Sequence, residues 1–293
     1  MHRRYTVRVP EETLLTNTLE APATAAPDEP LPAPFGESPS SDRPADSETL
    51  LESLAAICGV LAIGIFVMSF VFQNFEIPSG SMMGTLLIGD HVLVDRVTLA
   101  PPTPWAFFMP YREVHRGDVI VFFKPGEPDL FLVKRAIAIA GDRIHLRNGI
   151  VFLNGIAQNE PQAGGPADDS NPQHAFNAYR DNFPSVPPSA YEEVTEQWAA
   201  ELPRNVQDGD LLVPPGKIFA LGDNRTESLD GRYWGFVPRE NIVGRPLFVY
   251  WSFQTPADQI EKQGAGERLN FIGHILLHIF DETRWRRTLH RIL

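Results

Sequence analysis

Two features of this sequence could do chemistry together: a pair of serines around a glycine, and one lysine inside an apolar run. Ser79 and Ser81 flank Gly80, and Pro78 precedes them. Proline stiffens the start of such a turn, and glycine lets the chain turn tightly enough to hold a hydroxyl and nearby amides at one spot. A Ser-Gly-Ser segment alone is typical of an ordinary turn, so the serines need a partner before they indicate catalysis.

The candidate partner is Lys134. The other three lysines are in segments typical of exposed turns or loops: Lys124, Lys217 and Lys262. Lys134 instead interrupts the apolar run 130–139, and on a half-buried strand Lys134 and Arg135 cannot both reach solvent. Burial lowers a lysine's pKa by as much as roughly 3 to 5 units, and a neutral amine is the general base that a serine needs. The alternative is a lysine whose ammonium reaches water from an edge strand.

Four stretches, in order along the chain, resemble the boxes of the bacterial type I signal peptidases, a family of Ser–Lys dyad serine proteases. They are Ile77–Met83 with Thr85-Leu86 and Gly89-Asp90, Arg116–Phe122, Val133–Ala136 with Gly141-Asp142, and Gly222–Arg225 continuing through Ser228, Asp230 and Arg232 to Gly235. Together the boxes span residues 75 to about 251. One departure is Gly84, where the family usually has proline; we expect Gly84→Pro to be tolerated if φ there is near −65°.

The resemblance implies a membrane-bound serine endopeptidase that removes signal peptides from exported preproteins after small-x-small motifs. Ser81 would be the nucleophile and Lys134 the general base, with the Ser79 hydroxyl and the Ser81 amide holding the oxyanion. The supporting residues that it implies are Ser228 hydrogen-bonded to the lysine, an ion pair of Asp230 with Arg232, and Asp223 as a further acid. The substrate pockets for small residues are implied at Phe75, Ile77, Leu86 and Val133. No cofactor and no metal are expected.

Two other classes of protein share part of this pattern. A catalytically idle, membrane-anchored module could bind exported polypeptides by strand addition, but it would have no need of a desolvated lysine. A self-cleaving Ser–Lys repressor would need a DNA-binding domain and no membrane span. The formal net charge of −12 argues against nucleic-acid binding, which takes clustered Lys and Arg.

The segments that position these residues are mostly strands. Short β-branched or aromatic runs predict a mainly β catalytic domain with an antiparallel sheet: Val92–Val94, Val119–Phe123, Leu130–Ile139, Ile144–Leu146, Ile150–Leu153, Leu211–Val213, Ile218–Leu221 and Leu247–Trp251. Asn148-Gly149 predicts a hairpin within it.

The chain divides into four predicted regions. Residues 1–50 are rich in Ala, Pro, Ser and acidic residues, which predicts a disordered cytoplasmic tail. Residues 51–74 contain nineteen uncharged residues, 54–72, which predict one retained transmembrane helix. Arg43 on its N-terminal side favours a cytoplasmic tail, with the site on the extracytoplasmic face of the bacterial inner (plasma) membrane. Residues 75–264 form the catalytic domain.

The catalytic domain is predicted to carry an insertion and to be followed by an amphipathic helix. Residues 160–208 are interpreted as an insertion away from the site, or alternatively a lid, with a helix at Ala190–Glu201. Residues 265–293 predict the amphipathic helix, either on the membrane or packed on the domain. Its His274 and His278 could be half of a metal site, but no Glu completes the zinc-protease pattern, so we expect them to line a polar face. The partners expected are signal-peptide-bearing preproteins and the lipid bilayer, for a monomer.

Overall fold

A computed structural model describes residues 50–100, 109–164, 171, 174–188, 193–256, 259 and 264–292. The predicted disordered tail lies outside the described residues, apart from its last residue, Leu50. Most of residues 101–110 also lie outside them. The described residues form an apolar helix, two antiparallel sheets, and segments packed against those sheets.

The apolar helix begins the described chain. Helix α1 (Leu50–Phe66) continues into a π-helical turn (Val67–Val71), and none of these residues is buried. The 22 residues are long and apolar enough to cross a membrane. The predicted span was too long at its C-terminal end, because Phe72–Asn74 already belong to strand β1 (Phe72–Glu76), whose backbone pairs with a neighbouring strand.

The larger sheet has eight antiparallel strands in the order β1-β2-β12-β3-β4-β10-β11, with β13 on β12. Beyond β1, its strands are β2 (Asp90–Asp95), β3 (Val119–Lys124), β4 (Glu127–Ile139), β10 (Lys217–Leu221), β11 (Val237–Pro238), β12 (Ile242–Ser252) and β13 (His290–Arg291). Strand β12 pairs with β3 through its first residues and with β2 through the rest, so it joins the two halves of the sheet.

The smaller sheet has five antiparallel strands in the order β7-β6-β5-β9-β8. They are β5 (Arg143–Arg147), β6 (Ile150–Leu153), β7 (Ile156–Ala157), β8 (Val206–Gln207) and β9 (Asp210–Leu212). The predicted hairpin at Asn148-Gly149 is confirmed: both residues have positive φ, 50° and 77°, and the turn joins β5 to β6.

The mainly β, antiparallel class predicted from the sequence is confirmed. Every predicted run falls within a strand, except that β9 ends one residue before Val213. Alternation explains β2, where Asp90, Val92 and Val94 are buried and the residues between them are half-buried. One core cluster joins residues of both sheets, and a second lies under the loop between β1 and β2.

The helices differ from their predicted extents. In the inserted region, α2 (Ala178–Asp181) precedes α3 (Glu196–Asn205), which begins later than the predicted Ala190–Glu201 because Thr195 caps its first turn. Helix α4 (Gly231–Trp234) follows β10.

At the C-terminus, helix α5 (Ala265–His278) ends fifteen residues before the predicted end. Beyond it the chain turns, forms a 3-10 turn (Trp285–Arg287) and adds β13 to the larger sheet. Residues 279–292 are here called the C-terminal arm. The helix ends early because this arm is anchored to the domain, where Ile292 is buried in the second core cluster.

Candidate active site

The two candidate serines lie on the loop between β1 and β2, here called the serine loop. Ser79 directly precedes a 3-10 turn at Gly80–Met82, and Ser81 lies within it. Buried side chains on both sides of the turn fix it to the second core cluster: Ile77, Met82 and Leu86. The Leu86 N–H donates to the carbonyl oxygen of Met82 at 2.8 Å, which closes the loop behind Ser81. Apolar anchors at both ends therefore leave the two hydroxyls on the open side, with Ser79 Oγ and Ser81 Oγ 3.2 Å apart.

Asn224 holds this loop from the opposite side of the site. Its backbone N–H donates to the carbonyl oxygen of Ser81 at 3.1 Å. Its side-chain Nδ2 donates to the carbonyl oxygen of Gly80 at 3.2 Å. The loop that begins at Gly222 therefore fixes the backbone that carries the serine.

The expectation for Gly84 is corrected by its backbone conformation. Its φ is +112°, a conformation that proline cannot adopt, and a Cβ there would lie 2.7 Å from the carbonyl oxygen of Gln162. The condition for a tolerated Gly84→Pro is therefore not met. This turn differs from a proline-containing one because the inserted segment passes directly against it.

Lys134 lies on the central part of β4 and points at the serine loop. Its Nζ is 2.6 Å from Ser81 Oγ, and the residue is 3% exposed. Burial lowers the pKa of Lys134 to about 8, although the negative charges of Asp230 and Asp223 act to raise it. No carboxylate of the described residues lies within ion-pair distance of Nζ. The amine can thus lose its proton near neutral pH while it stays in contact with the serine hydroxyl.

The neighbouring Arg135 points to the other face of β4 and is bound on several sides. Its Nε and Nη2 donate to the two carboxylate oxygens of Asp223 at 2.9 and 2.8 Å. Its Nη1 donates to the carbonyl oxygen of Gly117 at 2.7 Å. Thr85 joins this group, because its Oγ1 accepts from Arg135 at 3.0 Å and donates to Asp223 at 2.5 Å. Asp223 therefore bridges β4 and the serine loop.

The loop from Gly222 to Trp234 is held by a second, fully buried ion pair. Arg232 donates to both carboxylate oxygens of Asp230 at 2.8 Å, and neither side chain is exposed. The Gly222 N–H also donates to Asp230, at 3.0 Å. Gly222 must lack a side chain, because a Cβ would lie 2.2 Å from Ser228 Oγ and 2.4 Å from the Ser81 carbonyl oxygen.

Ser228 does not make the hydrogen bond that the resemblance implied. Its Oγ is buried and has no hydrogen-bond partner among the described residues. Lys134 Nζ is instead directed to Ser81 Oγ. Ser228 still packs against Gly222, beside the backbone of the serine loop.

The inserted segment is not away from the site, contrary to the sequence-based interpretation. Glu160 accepts two hydrogen bonds from Arg225, at 2.8 and 2.6 Å. The Gly164 N–H donates to the carbonyl oxygen of Asp223 at 2.8 Å. Further along, Tyr179 and Trp198 both donate to the carbonyl oxygen of Arg232, at 2.5 and 2.9 Å. The insertion therefore supports the loop that carries Asp223 and Asp230.

A largely apolar cleft of about 200 Å³ opens beside the serine and the lysine. The residues that line it are Phe75, Glu76, Ile77, Pro78, Ser79, Ser81, Met82, Phe131, Leu132, Val133 and Lys134. Three of the four predicted pocket residues thus line the cleft. Leu86 does not: it is fully buried in the second core cluster, because it anchors the serine loop from below.

Three residues that support the site had no assigned role in the sequence analysis. Thr85 and Arg135 belong to the motifs that carry the resemblance, and Arg287 belongs to none of them. Arg287 reaches from the C-terminal arm to Asp90 at 2.5 Å and to the carbonyl oxygen of Thr85 at 3.0 Å. Of these three residues, only Arg135 could have been recognised from the sequence, because a charged residue inside an apolar strand needs a partner.

A serine hydroxyl held against a buried lysine beside an apolar cleft defines the class as a serine hydrolase. The comparisons identify the family. The family model described as "Signal peptidase, peptidase S26" matches residues 50–251. The signal peptidase I of Buchnera aphidicola (strain APS) is 29% identical over 262 residues, covering 77% of this chain and 82% of that protein.

Two further relatives are as similar. The signal peptidase I of Aquifex aeolicus is 30% identical over 223 residues, covering 68% of this chain and 82% of that protein. That of Pseudomonas fluorescens is 32% identical over 210 residues, covering 67% and 71%. The chain belongs to the signal peptidase family, peptidase S26. It is a serine endopeptidase of the signal-peptide-processing class, and the alternative of a catalytically idle binding module is dropped.

Proposed function

We propose that this chain removes N-terminal signal peptides from exported preproteins with Ser81 as nucleophile and Lys134 as general base. The contact of 2.6 Å between Lys134 Nζ and Ser81 Oγ, made by a buried lysine, is the observation that carries the proposal. With its pKa lowered to about 8, an appreciable fraction of Lys134 is neutral at working pH. A neutral Nζ can accept the hydroxyl proton as Ser81 Oγ attacks the scissile carbonyl carbon.

The proton and the acyl group then follow a balanced sequence. The Lys134 ammonium returns the proton to the nitrogen of the leaving amine, and the C–N bond breaks to leave an ester on Ser81 Oγ. Neutral Lys134 next takes a proton from water, whose oxygen attacks the ester. When the ester C–O bond breaks, the same proton returns to Ser81 Oγ. The products are a new carboxylate on the signal peptide and a free amino terminus on the mature protein.

Negative charge develops on the oxygen of the scissile carbonyl when the ester on Ser81 forms and again when water attacks it. Hydrogen-bond donors must stabilise this charge in both steps. We assign this role to the backbone amide of Ser81 and to the hydroxyl of Ser79, whose Oγ lies 3.2 Å from Ser81 Oγ. Asn224, Asp223, Asp230 and Arg232 act as positioning residues, because they hold the backbone and the strand that carry the dyad. Ser228 packs against Gly222 beside them. The bonds from Asn224 to the carbonyl oxygens of Gly80 and Ser81 support this role most directly.

The preprotein would bind beside β4 as an added strand. Among the described strands, β10 pairs with this edge of β4 only from Arg135 to Ile139, which leaves the edge open before Lys134. Main-chain hydrogen bonds to such an edge leave alternate side chains to enter the cleft. A cleft of about 200 Å³ lined by Phe75, Ile77 and Val133 favours small apolar side chains. This supports cleavage after small-x-small motifs.

The same elements support a position of the site at the membrane. Only β1 and a short turn separate the end of the apolar helix, Val71, from Ser81, so an anchor in α1 would hold the serine at the membrane surface. With the N-terminal tail in the cytoplasm, the site faces the extracytoplasmic side, where exported chains emerge. Exposed apolar side chains on α5 and the turn after it support a further contact with the bilayer: Leu269, Ile272, Leu276, Leu277 and Phe280.

The decisive experiment uses the full chain in detergent micelles with a purified exported preprotein, and maps the cut by mass spectrometry. We expect a single cut after a small-x-small motif, no cut with Ser81→Ala, and a rate that rises as the pH passes through about 8. Ser79→Ala should lower turnover by roughly 10²- to 10³-fold, as loss of one oxyanion donor does. A correctly folded wild-type chain that leaves the preprotein intact would refute the proposed substrate, and a fully active Ser81→Ala would refute the nucleophile.

A further inference from the structure

Three metal-binding side chains converge where helix α5 ends: His274 and His278 on the helix, and Glu282 in the turn that follows. One ligand atom of each residue lies within 4.8 Å of the ligand atoms of the other two. His274 Nε2 is 2.8 Å from Glu282 Oε2, and the two imidazole ring centroids are 4.5 Å apart. The three side chains are 41%, 40% and 28% exposed, so a cation can reach them from solvent.

Two imidazole nitrogens and one carboxylate form a donor set that Zn²⁺ and its transition-metal neighbours accept. Mg²⁺ and Ca²⁺ instead prefer oxygen ligands alone. Bonds of about 2.0 to 2.1 Å in a tetrahedral arrangement separate neighbouring donors by about 3.4 Å. Closing a separation of at most 4.8 Å to that value moves each side chain by less than about 1 Å.

We propose that His274, His278 and Glu282 form a Zn²⁺ site, here called the His-His-Glu cluster. Water completes the coordination. His278 Nδ1 lies 3.9 Å from Glu282 Oε1 and 2.9 Å from Asp281 Oδ2, so the metal takes the place of the Asp281 contact on this nitrogen. The cluster is unrelated to the Ser81–Lys134 contact and needs no assumption about the substrate.

The cluster is partly organised before any metal binds. The backbone of Glu282 is held at both polar atoms: its N–H donates to the His278 carbonyl oxygen at 3.0 Å, and its carbonyl oxygen accepts from the Gln254 N–H at 3.1 Å. The His274 ring packs edge-on against Phe253 with centroids 6.1 Å apart. Less conformational entropy is then lost when the ligands close on a cation.

A metal here would fix the turn from which the C-terminal arm returns to the serine loop. Two residues after Glu282, Arg284 Nη1 donates to the carbonyl oxygen of Ile88 at 2.9 Å. Arg287 then binds Asp90 and the carbonyl oxygen of Thr85. The Zn²⁺ site therefore ties α5 to the segment that supports Ser81 from behind, and its main expected effect is on the stability of the arm.

The test is a calorimetric titration of the chelator-treated full chain in detergent micelles with ZnCl₂. We expect one Zn²⁺ per chain, no response to MgCl₂, and affinity weakened at least about tenfold by His274→Gln, His278→Gln or Glu282→Gln. The matched control is His290→Gln, an exposed histidine on the same arm but outside the cluster, which should bind as the wild type does. Zn²⁺ should also slow proteolysis of the arm in the wild type and in His290→Gln, and not in Glu282→Gln.

One measurement does not depend on the folding of any variant. Co²⁺ added to the wild-type chain should give the visible absorption of a cation bound by nitrogen and oxygen donors in less than octahedral coordination, and Zn²⁺ should abolish it by displacement. Absence of binding at Zn²⁺ concentrations up to on the order of 100 µM would overturn the proposal. So would binding that the three ligand variants leave intact or that His290→Gln removes. The contacts of the cluster would then be ordinary histidine–carboxylate pairs.

Discussion

Lys134 and Arg135 are neighbours on one strand, equally buried at 3% and 4% exposure, and yet their surroundings are opposite. Arg135 has a carboxylate, a carbonyl oxygen and a hydroxyl around its guanidinium. Lys134 has only the hydroxyl of Ser81 within hydrogen-bond distance among the described residues. Alternation along β4 sends the two side chains to opposite faces, so a single strand supplies one unpaired amine and one paired cation.

The difference shows how the fold separates chemistry from support. A buried charge without a partner is costly, so Lys134 tends to lose its proton, and that tendency makes it a candidate base. A buried charge with a bidentate carboxylate holds two segments together, and Arg135 with Asp223 joins β4 to the loop at Gly222. The charges of Asp223 and Asp230 act to raise the pKa of Lys134, but burial outweighs them.

The largest effect is expected when the lysine of this pair is replaced by arginine. Lys134→Arg should abolish preprotein cleavage, by at least about 10⁴-fold in kcat/KM, because a guanidinium cannot give up its proton at working pH. Lys217→Arg, at the first residue of β10, is the matched control and should cleave normally. Cleavage is followed by gel mobility of the preprotein, with circular dichroism as a check on folding. A folded Lys134→Arg chain with near-native turnover would mean that the lysine serves only as a positive charge.

Removing Asp223, the ion-pair partner of Arg135, tests whether the paired cation stabilises the fold. Asp223→Ala leaves a buried guanidinium without its carboxylate, which should lower the free energy of unfolding by about 3 to 5 kcal/mol. Glu127→Ala, at the exposed ion pair with Lys124, should cost at most about 1 kcal/mol. Denaturant unfolding followed by tryptophan fluorescence measures both. Equal losses in the two variants would show that Arg135 does not depend on Asp223.

A third prediction uses the cost of burying Lys134. Lys134→Met should be inactive and yet more stable than the wild type, by about 3 kcal/mol at pH 7. The pKa of Lys134 is about 8 in the folded chain and about 10.5 in the unfolded one, so below pH 8 the folded state must hold a buried ammonium. Between these values the unfolded chain binds more protons, and wild-type stability rises with pH.

The advantage of Lys134→Met should therefore be largest below pH 8 and disappear above about pH 10.5. Unfolding midpoints of both chains across this range measure it. An advantage that is absent at pH 7, or that does not change with pH, would contradict a lysine destabilised by burial.

The sequence predicts one side of this comparison better than the other. Lys134 could be found because it is the lysine that interrupts an apolar run, and the resemblance paired it with Ser81. The partner of Arg135 could not, since Asp223 lies 88 residues away, and a turn containing Asp223 and Asp230 does not say which acid meets which arginine. Strand periodicity reports burial, whereas pairing between distant segments depends on the sheet order.

The same limit explains why the end of the C-terminal helix was predicted wrongly. Apolar spacing predicted a helix through 293, but Arg284 and Arg287 bind carbonyl and carboxylate oxygens of the serine loop, which are far away in sequence. Glu282 approaches His274 only because the helix stops and the chain turns. A pattern search that looked for a glutamate between the two histidines could not find one that follows them.

The smallest predicted effect falls on Thr85, the residue that connects the two sides of β4. Its hydroxyl accepts from Arg135 and donates to Asp223, and its backbone belongs to the loop that carries Ser81. Thr85→Val keeps the shape of the side chain and removes the hydroxyl, so Arg135 and Asp223 keep their bidentate contact with one partner fewer each. We expect unfolding to become easier by about 1.5 kcal/mol, the low end for hydrogen bonds to charged groups.

Because the serine loop is also held by Asn224 and by its buried apolar residues, Thr85→Val should lower kcat only a few-fold and leave the pH at which activity rises unchanged. Thr98→Val, at a hydroxyl bonded to the partly exposed Asp95, is a matched control and should cost less stability and no activity. The measurements are denaturant unfolding and kcat against pH. A shift in the pH profile of Thr85→Val would show that the Arg135 side sets the proton affinity of Lys134, and the two faces of β4 would then act as one electrostatic unit.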